Sequence, residues 1–207
     1  MSIAREGWPF IGVLMGAAAL LAFRFPWPAG VLAFLGLFCA FFFRDPERAL
    51  PPGDALVLSP ADGKIVVIAP APAGSAAGEG AQQISIFLSI FDVHVNRSPI
   101  AGRIERVDYH PGEFLPAYDD KASLRNEQNT VTLERNGQRL VFKQIAGLIA
   151  RRIVFRKKAG DVLERGERVG LIRFGSRCDV FLPASAAIRV KVGDRVQGGA
   201  SVLAELK

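Results

Sequence analysis

Three short stretches of this chain carry side chains that could do chemistry together. They are SPADG at residues 59–63, FDVHVNRSP at 91–99 and LIRFGSRCDVFLPA at 171–184. The last reads as a β-strand, because Leu171, Ile172, Phe174, Val180, Phe181 and Leu182 are apolar and Pro183 ends the run. Gly175 and Ser176 interrupt it, and glycine inside a strand marks a bulge or a close backbone approach. Ser176 is a nucleophile that needs a neighbouring base, since a hydroxyl attacks poorly at neutral pH. His94 is a base of suitable pKa, and Asp62 is a carboxylate able to orient it. Read as a strand, the second stretch sets Asp92, His94 and Asn96 on one face and Phe91, Val93 and Val95 on the other. A strand face with three polar groups must meet water, a partner or a site. Spacing alone leaves a plainer reading open. Asp62-Gly63 is a good turn, a lone histidine is often structural, and no G-x-S-x-G elbow surrounds Ser176.

The elements that must hold these residues divide into two regions. Residues 8–23 carry no charge, a turn-like FPWPAG follows Arg24, and a second apolar run covers 31–43. Each run is shorter than the ~20 residues that span a bilayer. The pair reads as an apolar helical hairpin over 1–49. It either crosses the membrane, with Arg5, Arg44 and Arg48 on the cytoplasmic side, or dips into one leaflet, with Trp8 and Trp27 at the interface. No small-residue cleavage site follows the first run, which argues against a removed signal peptide. From residue 50 onward, short apolar runs alternate with Gly, Pro and Asp turns, the pattern of a mainly β barrel or sandwich over 50–207. Asn136-Gly137 predicts a type I′ hairpin. Residues 70–83 read as a small-residue loop, and 114–129 as a polar segment with a helical turn. The tail repeats a strand, Gly-Asp or Gly-Glu turn, strand pattern similar to biotinyl/lipoyl-like sandwiches, without the lysine that carries their prosthetic group.

Composition narrows the partners. The 207 residues carry a net charge of +6, and half of them are hydrophobic. A basic balance points to an anionic partner, nucleic acid or an anionic membrane. No basic run with interleaved aromatics appears, which argues against nucleic acid. Cys39 and Cys178 lie in apolar surroundings and suggest no disulfide framework. Two histidines make a His-rich metal site improbable, and no metal is expected.

In order and character, SPADG, DVHVNRSP, YHPGEF (109–114) and FGSRCDVFLP (174–183) resemble the phosphatidylserine decarboxylases, in their short, membrane-anchored form. The resemblance implies a proenzyme. Ser176 would attack the carbonyl of Gly175 and split the chain into a β chain, 1–175, and an α chain, 176–207, that stay together. The serine would become a pyruvoyl group, the covalent cofactor that serves as electron sink in decarboxylation. His94 would be the base for Ser176 and a candidate to reprotonate the product, and Asp62 would orient His94. The partner implied is phosphatidylserine in an anionic membrane, with the body on the cytoplasmic face of the cell membrane. Arg97 and Asn96 are candidate headgroup contacts, as are Arg151, Arg152 and Lys157. This chain departs from longer family forms in having Arg97 where they carry a second histidine, and Phe174 and Arg177 around the Gly175-Ser176 pair. His110 precedes a turn and is a weaker candidate. Two rival readings are a non-enzymatic membrane-anchored adaptor and a Ser/His/Asp hydrolase that leaves its own chain uncut.

Overall fold

The computed structural model describes residues 2–115, 125–147, 152–173 and 176–207. The chain forms two compact units, residues 1–47 and 48–207. The first contains β1 (Ser2–Ile3), a 3-10 turn (Arg5–Gly7), α1 (Trp8–Leu21), α2 (Pro26–Phe42) and β2 (Arg44–Asp45). Prolines in the first turn of each α-helix suit positions whose N–H groups would be unpaired anyway. β1 and β2 pair antiparallel, and Phe10 stacks on Phe43 at 5.8 Å. With ~1.5 Å rise per residue, α1 is about 21 Å long and α2 about 26 Å. Among the described residues, no helix is long and apolar enough to cross a membrane.

The second unit is mainly β. Its first strands are β3 (Leu56–Leu58), β4 (Gly63–Pro70), β5 (Gln82–Leu88), β6 (Val95–Arg97) and β7 (Gly102–His110). β8 (Gln128–Arg135), β9 (Gln138–Ala146), β10 (Ile153–Phe155), β11 (Val162–Leu163) and β12 (Arg168–Ile172) follow. β13 (Ser176–Leu182), β14 (Ala187–Ile188), β15 (Arg195–Val196) and β16 (Val202–Glu205) complete it. An eight-stranded sheet, ordered β11-β7-β8-β9-β13-β5-β4-β15, is antiparallel throughout and curls as a half-barrel. Two three-stranded sheets, β10-β12-β6 and β14-β16-β3, complete the body. Ile65, Ile84, Ile86, Leu88, Val131, Leu133, Phe142, Cys178, Val180 and Leu182 fill the core. The mainly β body and the N-terminal helical region agree with the sequence reading.

Local chemistry explains the turns. Asn136 (φ 52°) and Gly137 (φ 78°) join β8 to β9 with both residues left-handed, as an Asn-Gly hairpin requires. The helical turn expected within 114–129 falls largely outside the described residues.

Two expectations for strands change. The run 171–182 is not one strand: β12 ends at Ile172 in a three-stranded sheet, and β13 starts at Ser176 in the eight-stranded one. Nor is 91–97 a continuous strand. The Asp92 carboxylate accepts hydrogen bonds from the backbone and hydroxyl of Ser89, both at 2.8 Å, and this local closure displaces strand pairing until Val95.

Candidate active site

Ser176 opens β13, a central strand of the large sheet, and is fully buried. Side-chain alternation sends Cys178, Val180 and Leu182 into the core and Ser176 to the same face. The residues opposite Ser176 are Leu88 on β5 and Ala146 on β9, both apolar. Among the described residues its Oγ has no hydrogen-bond partner. A buried hydroxyl left unmatched costs about 1–3 kcal/mol. Such an atom is rare enough to call for an explanation.

His94 immediately precedes β6 and is 2% exposed. Its Nδ1 lies 2.9 Å from the backbone carbonyl of Asp92. A carbonyl only accepts, so Nδ1 carries the proton and Nε2 is the basic nitrogen of the neutral ring. The backbone carbonyl of His94 accepts the N–H of Ile172 at 3.3 Å, which ties the histidine to the end of the strand that leads towards Ser176.

Asp62 sits in the turn before β4. Its Oδ2 accepts from Arg48 and its Oδ1 from the backbone N–H of Gly198, each at 2.7 Å. The next residue, Gly63, has φ 153°, and a Cβ there would collide with the carbonyl of Phe87. Glycine therefore lets the turn press against the end of β5, where Leu88 faces Ser176. Register thus brings the segments bearing Asp62 and Ser176 to one end of the large sheet, while His94 is tied to the end of β12. Gly175 lies outside the described residues, as do Phe174 and Arg151.

Asn96 and Arg97 are buried. The Gln144 amide donates to Asn96 Oδ1 at 2.9 Å, and Asn96 Nδ2 donates to the Pro60 carbonyl at 3.5 Å. Asn129 Nδ2 donates to Gln144 Oε1 at 3.1 Å. Gln144 lies opposite Cys178, so this chain of amides starts on the face that Ser176 shares, two residues along β9 from Ala146, and joins the 59–62 turn to β6 and β9. The Arg97 guanidinium donates to the Gly166 carbonyl at 3.2 Å. Lys157 pairs with Glu167, and Arg152 and His110 are exposed.

Sequence reading missed the opposite face of β13. There Arg177 donates to Asp179 at 2.7 Å and to Ser85 Oγ at 2.7 Å, while Gln83 donates to Asp179 at 3.1 Å. Burial pushes the nearby Lys143 ammonium down; Asp179 offsets this in part, and Arg177 adds to it. The clue was present: Arg177 and Asp179 stand two apart within an apolar strand, so they share a face. Among the described residues, no group of side chains could hold a metal ion.

A sequence model of the phosphatidylserine decarboxylase family matches residues 35–204. The chain is 50% identical over 206 residues to a phosphatidylserine decarboxylase proenzyme of Symbiobacterium thermophilum, covering 99% of this chain and 95% of the relative. It is 45% identical over 210 residues to the proenzyme of that name from Magnetococcus marinus, and 48% over 209 residues to that from Ralstonia pickettii. Each alignment covers 99% of this chain and 95% of the relative. Matches of this extent make the protein an enzyme of the carboxy-lyase class. More narrowly, the chain belongs to the phosphatidylserine decarboxylase family.

Proposed function

We propose that the protein converts phosphatidylserine to phosphatidylethanolamine after cutting its own chain between Gly175 and Ser176. The observation that carries this reading is the buried Oγ of Ser176, unpartnered among the described residues at the head of a central strand, in a chain of this family. A hydroxyl not engaged by those residues is ready to attack a neighbouring carbonyl carbon. Its proton passes to a base, and His94 is the candidate, with Nε2 as its basic nitrogen. The attack moves the Gly175 acyl group from nitrogen to Oγ. Elimination then releases the Gly175 carboxylate, and water replaces the amino nitrogen as ammonia. Asp62, braced by Arg48 and Gly198, supplies negative charge beside the 59–62 turn and steadies the imidazolium formed when His94 takes the proton.

The residues present suit a pyruvoyl group, because its carbons would be those of Ser176, already enclosed by apolar neighbours, and its keto oxygen would come from water. Once formed, that group supplies a carbonyl that condenses with the substrate amine and draws in the electron pair left by carbon dioxide. The apolar surroundings of Leu88 and Ala146 exclude water from that carbon. His94 is the candidate proton donor to the product carbon.

The exposed side chains of Trp8, Leu20, Phe23 and Trp27 support seating of residues 1–47 in a membrane interface. Helices of about 21 and 26 Å favour dipping over spanning, against a hydrocarbon core of about 30 Å. The body would then work on the cytoplasmic face, where anionic lipid is both substrate and surface.

Intact mass under denaturing conditions tests this. Two polypeptides, 1–175 and 176–207, the smaller lacking a free α-amine, are expected. A single uncut chain from fresh protein overturns the proposal.

A further inference from the structure

The small-residue loop between β4 and β5 lies over the face of β13 that points away from Ser176. The Ala71 N–H donates to the Ala81 carbonyl at 2.8 Å, so the two ends of the loop are closed on each other. Ala77 and Ala81 pack with Val141 of β9 and Phe181 of β13, and Ala71 joins them. Phe181 is an odd number of residues from Ser176 along the strand, which sets the two on opposite faces. A cavity of about 240 Å³ is lined from the loop by residues 72–76 and from the sheet by Thr130, Val141, Lys143 and Phe181.

Strand register supplies the polar part of that lining. Thr130, Lys143, Asp179 and Ser85 are successive partners across β8, β9, β13 and β5, and so form one row. The Asp179 carboxylate on that row is held by Arg177 at 2.7 Å and by Gln83 at 3.1 Å. The Lys143 ammonium lies over the Phe181 ring, 5.5 Å from its centroid, and both residues line the cavity. Lys143 is half-buried, and burial pushes its ammonium down, with Asp179 restoring only part. A desolvated cation on a cavity wall gains from an anion placed beside it.

We propose that this cavity binds a small carboxylate with a short alkyl body. The carboxylate sits beside Lys143 and Thr130, and the alkyl chain lies against Val141, Phe181 and the loop residues Pro72 and Ala76. The site is on the opposite face of β13 from the candidate active site, and the proposal does not depend on the decarboxylase reading. At ~30 Å³ per water the cavity equals about eight waters, which suits an acid of about six carbons. Apolar walls favour an alkyl body over a bare hydrated ion. One ammonium, with the Asp179 carboxylate next to it in the row, matches a single negative charge better than the roughly −1.5 to −2 of a phosphate monoester.

Titration calorimetry on the full chain tests this with three probes. Hexanoate is the acid, 1-hexanol its uncharged counterpart, and inorganic phosphate an anion without an alkyl body. Wild type should bind hexanoate about tenfold or more tighter than hexanol, the scale of a charge-assisted hydrogen bond, and tighter than phosphate. Lys143→Met should lose the preference for hexanoate over hexanol, and Lys143→Arg should keep most of it. Ala76→Phe keeps the charge but fills the cavity, so it should weaken hexanoate and hexanol together. Circular dichroism melts establish that each variant is folded. If Lys143→Met does not fold, Ala76→Phe decides alone. No hexanoate binding by wild type overturns the proposal, as does undiminished binding by a folded Lys143→Met or by Ala76→Phe, because the acid would then bind elsewhere. Phosphate bound as tightly as hexanoate overturns the assignment of a carboxylate with an alkyl body.

Discussion

Among the described residues the Ser176 hydroxyl has no bond to lose, and that sets what its removal should do. Ser176→Ala deletes an unmatched buried hydroxyl, so the fold should stand while both cleavage and decarboxylation vanish. Intact mass and a headgroup assay on lipid vesicles check this together; decarboxylation by that variant would exclude the pyruvoyl assignment. His94→Ala should also leave one uncut chain, since no described neighbour of Ser176 in the sheet is a base. The next inward-facing residue, Cys178, behaves in the opposite way. Burial, with the Asp179 carboxylate second, pushes its thiol far above the ordinary cysteine value. It remains protonated across the neutral range, and the thiolate is the reactive form. Thiol reagents at pH 8 should therefore leave Cys178 untouched in the native protein and label it in denaturant. The mass of the 176–207 polypeptide, where Cys178 is the sole cysteine, reads this directly.

At the scale of elements, the site is held by strands whose polar side chains meet each other. The amide chain from Asn129 through Gln144 and Asn96 to the Pro60 carbonyl joins the segments that carry Asp62 and His94 to β9, the strand beside Ser176. Replacing Gln144 with Leu would strand the amides of Asn96 and Asn129, at about 1–3 kcal/mol for each unmatched group. Denaturant melts should show that loss, and slowed self-cleavage should accompany it. Replacing Asp179 with Ala would leave Arg177 buried and unpaired, a loss of about 3–5 kcal/mol. Much of this architecture was legible in the sequence, because period-two alternation and Gly, Asn and Asp turns are local signals. The Asn136-Gly137 hairpin is the clearest case. The break between β12 and β13 was not legible: apolar residues lie on both sides of it, and sheet membership is decided by partners far along the chain. The Asp92 turn was missed because a side chain bonding its own backbone outcompeted an alternating pattern. Asn129, Gln144 and Asn96 illustrate the general limit. Their residue types were visible, but the hydrogen bonds among them depend on register across distant strands.

For the whole molecule, charge and apolar surface are segregated between the two units. Residues 1–47 hold three basic side chains, Arg5, Arg24 and Arg44, and three acidic ones, Glu6, Asp45 and Glu47. They are neutral in sum, so the whole net charge of +6 lies in residues 48–207. The first unit nevertheless exposes Trp8, Val13, Leu20, Phe23, Trp27 and Phe34. These two surfaces should bind a membrane by different physics. Burial of apolar side chains in lipid depends little on salt, whereas attraction of a basic body to anionic headgroups is screened within a Debye length of ~10 Å at 0.1 M. Vesicle sedimentation at several ionic strengths separates them. The full chain should stay bound to anionic vesicles as salt rises and should also bind neutral ones. A chain lacking residues 1–43 should bind anionic vesicles only at low salt and neutral vesicles hardly at all. It should still be cut at Ser176, because every strand that flanks β13 lies in the remaining unit. Salt-resistant binding by the truncated chain would assign the apolar anchor to the body. An uncut truncated chain would show that the N-terminal unit is needed to bring the reacting peptide into position.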